Sequence, residues 1–162
     1  MKTKGFYREL KKCFKKSIHV RKMCDNLNYL VYRYKDEPIC KYVNKKIYGE
    51  IYHNPPVELQ TLCDVGKNYP LVILMFMANK FVNYNDDCTY IFDIINLFIK
   101  EDEIVRDFVE RPFRNETHTL FKRGIVEMKS VEGESGCVGA PQKAMVFHLT
   151  DAAKREMFEE GV

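Results

Sequence analysis

Apolar positions near the start of the chain recur at helical spacing. Phe6, Leu10, Phe14 and Ile18 share one helical face. This pattern predicts a basic amphipathic helix over residues 6–18. Its outward lysines are candidate phosphate contacts, the alternatives being an ordinary solvated face or a segment that lies on a membrane or directs targeting. These candidate residues are Lys11, Lys12, Lys15 and Lys16.

The pattern changes between residues 27 and 52, where tyrosines alternate with lysine and arginine. Tyrosine favours strands, and residues 35–38 (KDEP) have the composition of a turn. The segment therefore predicts short strands or a hairpin. Its aromatic side chains either pack on one face of a sheet or stack on the bases of single-stranded nucleic acid.

A break follows at residues 53–56 (HNPP), because consecutive prolines cannot continue a helix or an inner strand. We expect a linker near 53–69, with Pro70 as the first residue of a buried central helix over 70–84. The predicted organisation is a basic, Tyr-rich region over 1–66 and a second domain over 67–162.

The second domain shows a succession of short periodic segments. Apolar spacing predicts helices over 90–100, 104–111 and 113–123, the second beginning at the acidic residues 101–103. Gly124 ends the third helix, and strands are predicted over 125–129 and 143–149. Between them lies the small-residue stretch 131–142. A closing helix over 152–160 is expected to be capped by Thr150 or Asp151.

Two of these segments, 120–127 (LFKRGIVE) and 147–155 (FHLTDAAKR), resemble the winged helix-turn-helix family, in particular its MarR-like members. The first resembles the exit from the recognition helix into the strand before the wing. The second resembles the strand that leaves the wing and enters the next helix. The resemblance covers roughly residues 88–160. The expected fold class is α+β, mostly helical, with a C-terminal winged helix-turn-helix and a short β-hairpin wing.

The resemblance implies that helix 113–123 enters a major groove of duplex DNA. Arg114, Asn115 and His118 would then face base edges, which arginine and asparagine can contact through two hydrogen bonds. Arg111, just before this helix, belongs to the same candidate surface. Phosphates would be contacted by Lys122, Arg123, Lys129 and Lys143.

The distribution of charged residues along the chain weakens the expectation that the winged helix alone binds DNA. Residues 1–50 hold 14 Lys and Arg against five Asp and Glu, whereas the remainder holds 12 against 18. The predicted winged helix is thus acidic overall, and the positive charge lies before it. The expected function is DNA binding by a transcriptional or replication accessory regulator that combines a winged helix with a basic N-terminal arm. The alternative is an adaptor or inhibitor that uses the winged helix to dock a protein.

The sequence gives less support to an enzyme, a metal-binding protein or a membrane protein. The sequence contains no Walker loop, dinucleotide fingerprint or Gly-x-Ser-x-Gly elbow, so we expect no enzyme and no cofactor. It contains no CxxC pair, and its four histidines lack ligand spacing, so we expect no metal. The six cysteines are interpreted as reduced thiols of a cytoplasmic protein. The longest apolar run, residues 71–78, is short against the roughly 20 residues of a membrane span. Duplex DNA is the expected partner, RNA or a protein are the alternatives, and a homodimer is left open.

Overall fold

The computed structural model describes residues 4–16, 18–48, 63–129 and 145–158. These residues are mostly helical, with one three-stranded antiparallel sheet, and the expected α+β class is confirmed at this level. The winged helix itself stays a prediction. The helices are α1 (Lys4–Cys13), α2 (Val20–Arg33), α3 (Pro38–Val43), α4 (Cys63–Asn83), α5 (Ile91–Leu97), α6 (Glu103–Arg114), α7 (Thr119–Lys122) and α8 (Asp151–Phe158), and a π-helical turn spans Asn44–Tyr48. The strands are β1 (Thr89–Tyr90), β2 (Val126–Met128) and β3 (Val146–Leu149).

Helix α1 confirms the basic amphipathic helix, although it ends at Cys13 rather than at residue 18. Phe6 and Leu10 are fully buried. Helix α1 packs against α2 and α4, so its lysines belong to the folded body. Helix α1 is therefore part of the folded body and not a projecting arm.

The strands predicted between residues 27 and 52 are wrong over residues 27–48, and residues 49–52 lie outside the described residues. Helix α2 runs to Arg33, the predicted turn separates it from α3, and Pro38 begins α3. Apolar residues that are buried at helical spacing, among them Val20, Leu27 and Val31, determine the structure of α2. The β preference of tyrosine is a weaker signal, because it depends on packing against a sheet.

Helix α4 confirms the buried central helix, since Leu71 through Met75 are fully buried. Its predicted start is wrong. The helix begins at Cys63, so Pro70 lies inside it and the expected linker overlaps its first turns. Proline has a helical φ, and a helix can continue through it at the loss of one backbone hydrogen bond. The predicted break at 53–56 lies outside the described residues.

In the sheet, β3 pairs with both β1 and β2, which gives the order β1-β3-β2. Thr89 lies opposite Phe147, and Val126 lies opposite Leu149. Strands β2 and β3 fall inside the predicted ranges 125–129 and 143–149, whereas the sequence did not predict β1. The predicted wing tip, residues 131–142, lies outside the described residues.

One hydrophobic cluster joins the N-terminal helices to the elements that follow them. Helices α1 and α2 pack on α4, and α3 packs on α8. The Phe158 ring of α8 stacks on Phe81 of α4, with centroids 5.0 Å apart, and lies 6.3 Å from the Tyr7 ring of α1. This packing fixes the basic helix α1 relative to the sheet.

Candidate nucleic-acid interface

Helix α6 begins where the sequence predicts. The Asp102 side chain caps it by accepting a hydrogen bond from the Val105 amide, N to Oδ1 3.0 Å. The Arg106 guanidinium folds back and donates to the carbonyl oxygens of Ile99 and Glu101, at 3.2 and 2.5 Å. Arg106 thus ties α6 to the loop that joins it to α5.

The expected recognition helix over 113–123 does not form as one element. Helix α6 continues through Pro112 to Arg114, and Asn115 is its C-terminal cap. Glu116 then adopts a left-handed backbone with φ +55, and the four-residue helix α7 starts after His118. The prediction failed because Pro112 was taken as the helix break. The chain instead turns at Glu116, where a positive φ ends the helical path.

The arginines near the end of α6 are each bound to a carboxylate one turn earlier. Arg111 Nη2 lies 2.5 Å from Asp107 Oδ2, and Arg114 Nε lies 2.5 Å from Glu110 Oε2. Acidic residues that precede basic ones by four positions stabilise a helix in this way. Each ion pair engages one nitrogen of the guanidinium and offsets part of its positive charge, which weakens the attraction of either arginine for a phosphate.

His118 is almost entirely buried, so its predicted contact with base edges is wrong. Its Nδ1 accepts a hydrogen bond from the Leu120 amide, at 3.1 Å, and thereby caps α7. The ring lies 4.5 Å from the Phe113 ring and 5.2 Å from the Tyr69 ring, between centroids. Burial lowers the pKa of His118 to about 3. The residue is therefore neutral and structural.

The other candidates in the second half of the chain are scattered. Asn115 and Lys122 are exposed, and Arg123 is half-buried. The Lys129 ammonium is directed at the Cys88 sulfur, Nζ to Sγ 3.3 Å. Lys143 lies outside the described residues.

The N-terminal candidates are placed differently. Lys11 lies over the Tyr84 ring, with Nζ 5.1 Å from the centroid, so it takes part in packing against the end of α4. Lys12, Lys15 and Lys16 are exposed. Among the described residues, no carboxylate lies within ion-pair distance of these three lysines.

Lys12, Lys15 and Lys16 line one side of a groove of about 390 Å³ between α1 and α2, which we call the α1–α2 groove. Helix α2 supplies Asn26 and Tyr29 to the other side. The remaining lining residues are Glu9, Cys13, Ile18 and Leu30. Asn26 was not among the predicted contacts, whereas Tyr29 belongs to the tyrosine-rich segment for which stacking on single-stranded bases was one of two alternatives. Their spacing of three residues on the polar face of a helix could have revealed them, had α2 been recognised as helical.

Among the described residues that line this groove, Glu9 is the one acidic side chain, and its charge is partly compensated. Its carboxylate accepts a short hydrogen bond from the Tyr34 hydroxyl and lies 3.4 Å from Arg33 Nη1. The hydrogen bond to Glu9 raises the pKa of Tyr34. Burial, followed by the nearby Glu9, raises the pKa of the Cys13 thiol, which stays protonated. The groove thus has an excess of positive charge and no thiolate.

A second, smaller groove of about 210 Å³ adjoins the first and shares Lys15, Lys16 and Ile18 with it. Its other side includes Asn96 and Lys100, at the end of α5. The lysines that follow α1 therefore form a ridge between two depressions. This arrangement gives a basic surface that a phosphate backbone could follow.

Comparison with family models, with curated proteins and with solved structures gives no match for this chain. Among the described residues, no helix combines the length and apolar character needed to cross a membrane. The same residues contain no group of three or more His, Cys, Asp or Glu side chains that could hold a metal ion.

Proposed function

We propose that this protein binds nucleic acid and that its main phosphate contacts are Lys12, Lys15 and Lys16. The observation that carries the proposal is that these lysines are exposed and without an ion-pair partner among the described residues. Exposed cations without partners are available to replace the counterions of a phosphate backbone, and the release of those ions favours binding.

The proposal includes the winged-helix domain predicted over residues 67–162. It is supported by the paired helices α5 and α6, by the antiparallel strands β2 and β3 that follow them, and by β1, which completes the sheet in the order β1-β3-β2. In such a unit α6 would take the position expected of residues 113–123. Because Arg111 and Arg114 are paired within α6, its contribution to phosphate binding is expected to be small.

The experiment compares two sets of neutral variants in the full chain. Binding to a labelled oligonucleotide is measured by fluorescence anisotropy at several salt concentrations. The triple variant Lys12→Gln, Lys15→Gln, Lys16→Gln should weaken binding and reduce the slope of log K against log salt by about 2. The matched control Arg111→Gln, Arg114→Gln should leave the affinity and the salt slope nearly unchanged.

The opposite result, in which the arginine variant abolishes binding and the lysine variant does not, would move the interface to α6. Absence of binding by the parent chain at low salt would refute the proposed function. Thermal unfolding of both variants checks that a loss of binding is not a loss of folding.

A second candidate function, docking of a protein partner, is favoured by the exposed surface of α6. Ile104 keeps 61% of its surface exposed, and it lies in a shallow depression with Glu103, Asp107 and Glu110. Asp107 and Glu110 are paired with Arg111 and Arg114, and Arg106 lines the same depression, so Ile104 lies in a surface of mixed charge that suits an amphipathic partner. Affinity capture with the full chain should then recover a defined partner that Ile104→Asp loses and the lysine variant keeps.

A further inference from the structure

We infer that the α1–α2 groove takes single-stranded nucleic acid, with a base stacked on the Tyr29 ring and the adjoining phosphates on the three lysines. The inference rests on the proposed function and names the form of nucleic acid that the site would bind. It depends on the ring of Tyr29, which duplex binding through phosphates would not use.

Tyr29 is one of several exposed aromatic side chains among the described residues, and it is the one of them that lines the groove. It is 60% exposed, although it lines the groove. No other described ring or cation packs on it. By contrast, Tyr34 lies against Phe6, with ring centroids 5.6 Å apart, and Tyr84 is covered by Lys11. An uncovered ring beside a groove provides the face that an unpaired base needs for stacking.

The groove has the composition of a site for a nucleotide unit. Lys12, Lys15 and Lys16 line the same groove as Tyr29, so one unit could place its phosphate on the lysines and its base on the ring. The Asn26 amide, one turn before Tyr29, can both donate to and accept from the edge of that base. A volume of about 390 Å³ lies within the range of small-molecule sites.

Base pairing would hide the base face and base edge that this groove is expected to contact. In a duplex, bases are stacked on their neighbours, so a tyrosine ring at the surface meets sugar and phosphate instead of a base face. The adjoining second groove, past Lys15 and Lys16, allows the strand to cover more than one nucleotide. Modest preference among bases is expected, because every base offers a π-face.

The test measures anisotropy of a fluorescein-labelled oligothymidylate of about 12 nucleotides, of an oligouridylate of the same length, and of the duplex with oligoadenylate. The single strands should bind more tightly than the duplex at equal salt. Tyr29→Ala should weaken single-strand binding by about tenfold. Tyr29→Phe should retain it, because the ring is preserved. Tyr32→Ala is the matched control, since Tyr32 is 74% exposed on the same helix but does not line the groove.

A second readout does not depend on affinity. The chain contains no tryptophan, so Tyr29→Trp places a single indole in the groove. Its fluorescence should be quenched by the single strand and much less by the duplex, because only an unpaired base can stack on the ring. A Tyr32→Trp variant should show little quenching with either.

The outcomes separate the two proposals. If the lysine variant lowers affinity while Tyr29→Ala has no effect, or if the duplex binds more tightly, the stacking inference is wrong and the proposed function stands. If neither single strand nor duplex binds the parent chain, both are wrong. Equal binding of oligothymidylate and oligouridylate supports stacking without recognition of the 2′-hydroxyl or of the 5-methyl group, whereas tighter binding of oligouridylate makes RNA the favoured ligand.

Discussion

The buried His118 should make the protein lose stability in mild acid. Its pKa in the folded state is about 3, against 6.5 for an unperturbed histidine, because burial disfavours the charged ring. As the pH falls below 6.5, the unfolded chain takes up a proton that the folded chain does not. Unfolding is therefore favoured progressively from pH 6.5 downward, until the folded state also binds the proton near pH 3.

The size of this loss follows from the two pKa values. At about pH 5 nearly every unfolded molecule has a protonated His118, whereas nearly every folded molecule has a neutral one. The free energy of unfolding should therefore be about 2 kcal/mol lower at about pH 5 than at about pH 7.5 on account of this residue. A loss of this size is a large fraction of the stability of a typical domain.

The matched variant is His118→Asn, which keeps a side-chain acceptor at the N-cap of α7 but cannot titrate. Urea unfolding, followed by circular dichroism at the two pH values, gives the free energy of unfolding for each protein. The variant is expected to be less stable at neutral pH, because it loses the ring that packs on Phe113 and Tyr69. Its further loss in acid should be about 2 kcal/mol smaller than that of the parent. Equal losses in both proteins would show that His118 is not held neutral by burial.

Three further changes test the local structure by urea unfolding. Gly124 has φ +70 and open space around it, so Gly124→Ala should cost about 1 kcal/mol through backbone strain alone, and a neutral result would contradict that conformation. Thr150 donates from Oγ1 to the Gly124 carbonyl at 2.6 Å and caps α8, so Thr150→Val should cost about 1 kcal/mol and Thr150→Ser much less. Lys80 Nζ lies 3.3 Å from carboxylates of both Asp86 and Asp93, so Lys80→Met should cost about 1 kcal/mol more in low salt than in high salt, whereas a salt-independent cost would point to packing.

The elements that the sequence predicted best are helices whose ends are fixed by a local capping residue or by a glycine. Asp102 caps α6, Thr150 caps α8 and Gly124 terminates α7, each at the expected position. These signals are local, because one side chain or one backbone angle satisfies or ends the helix without help from distant residues. The strands beside Gly124 and Thr150 were predicted from another local signal, the alternation of apolar and polar residues.

Elements that depend on distant contacts were predicted poorly. Strand β1 has only two residues, Thr89 and Tyr90, and exists because β3 pairs with it from more than 50 positions along the chain. A helix boundary was also wrongly predicted at each of two prolines. Pro70 and Pro112 both lie inside helices, since the energy of burying neighbours such as Leu71 and Phe113 outweighs one missing hydrogen bond.

The sequence alone could have shown which of the candidate arginines and lysines have a carboxylate at ion-pair spacing. Asp107 and Arg111, like Glu110 and Arg114, are four positions apart, and this spacing predicts pairing on any helix that contains both members. Lys12, Lys15 and Lys16 have no acidic residue at three or four positions on either side except Glu9. A count of charges that ignores spacing treats these arginines and lysines alike. A count that considers spacing distinguishes the paired arginines from the unpaired lysines. The expected nucleic-acid contacts then move from α6 to the end of α1 before any tertiary contact is known.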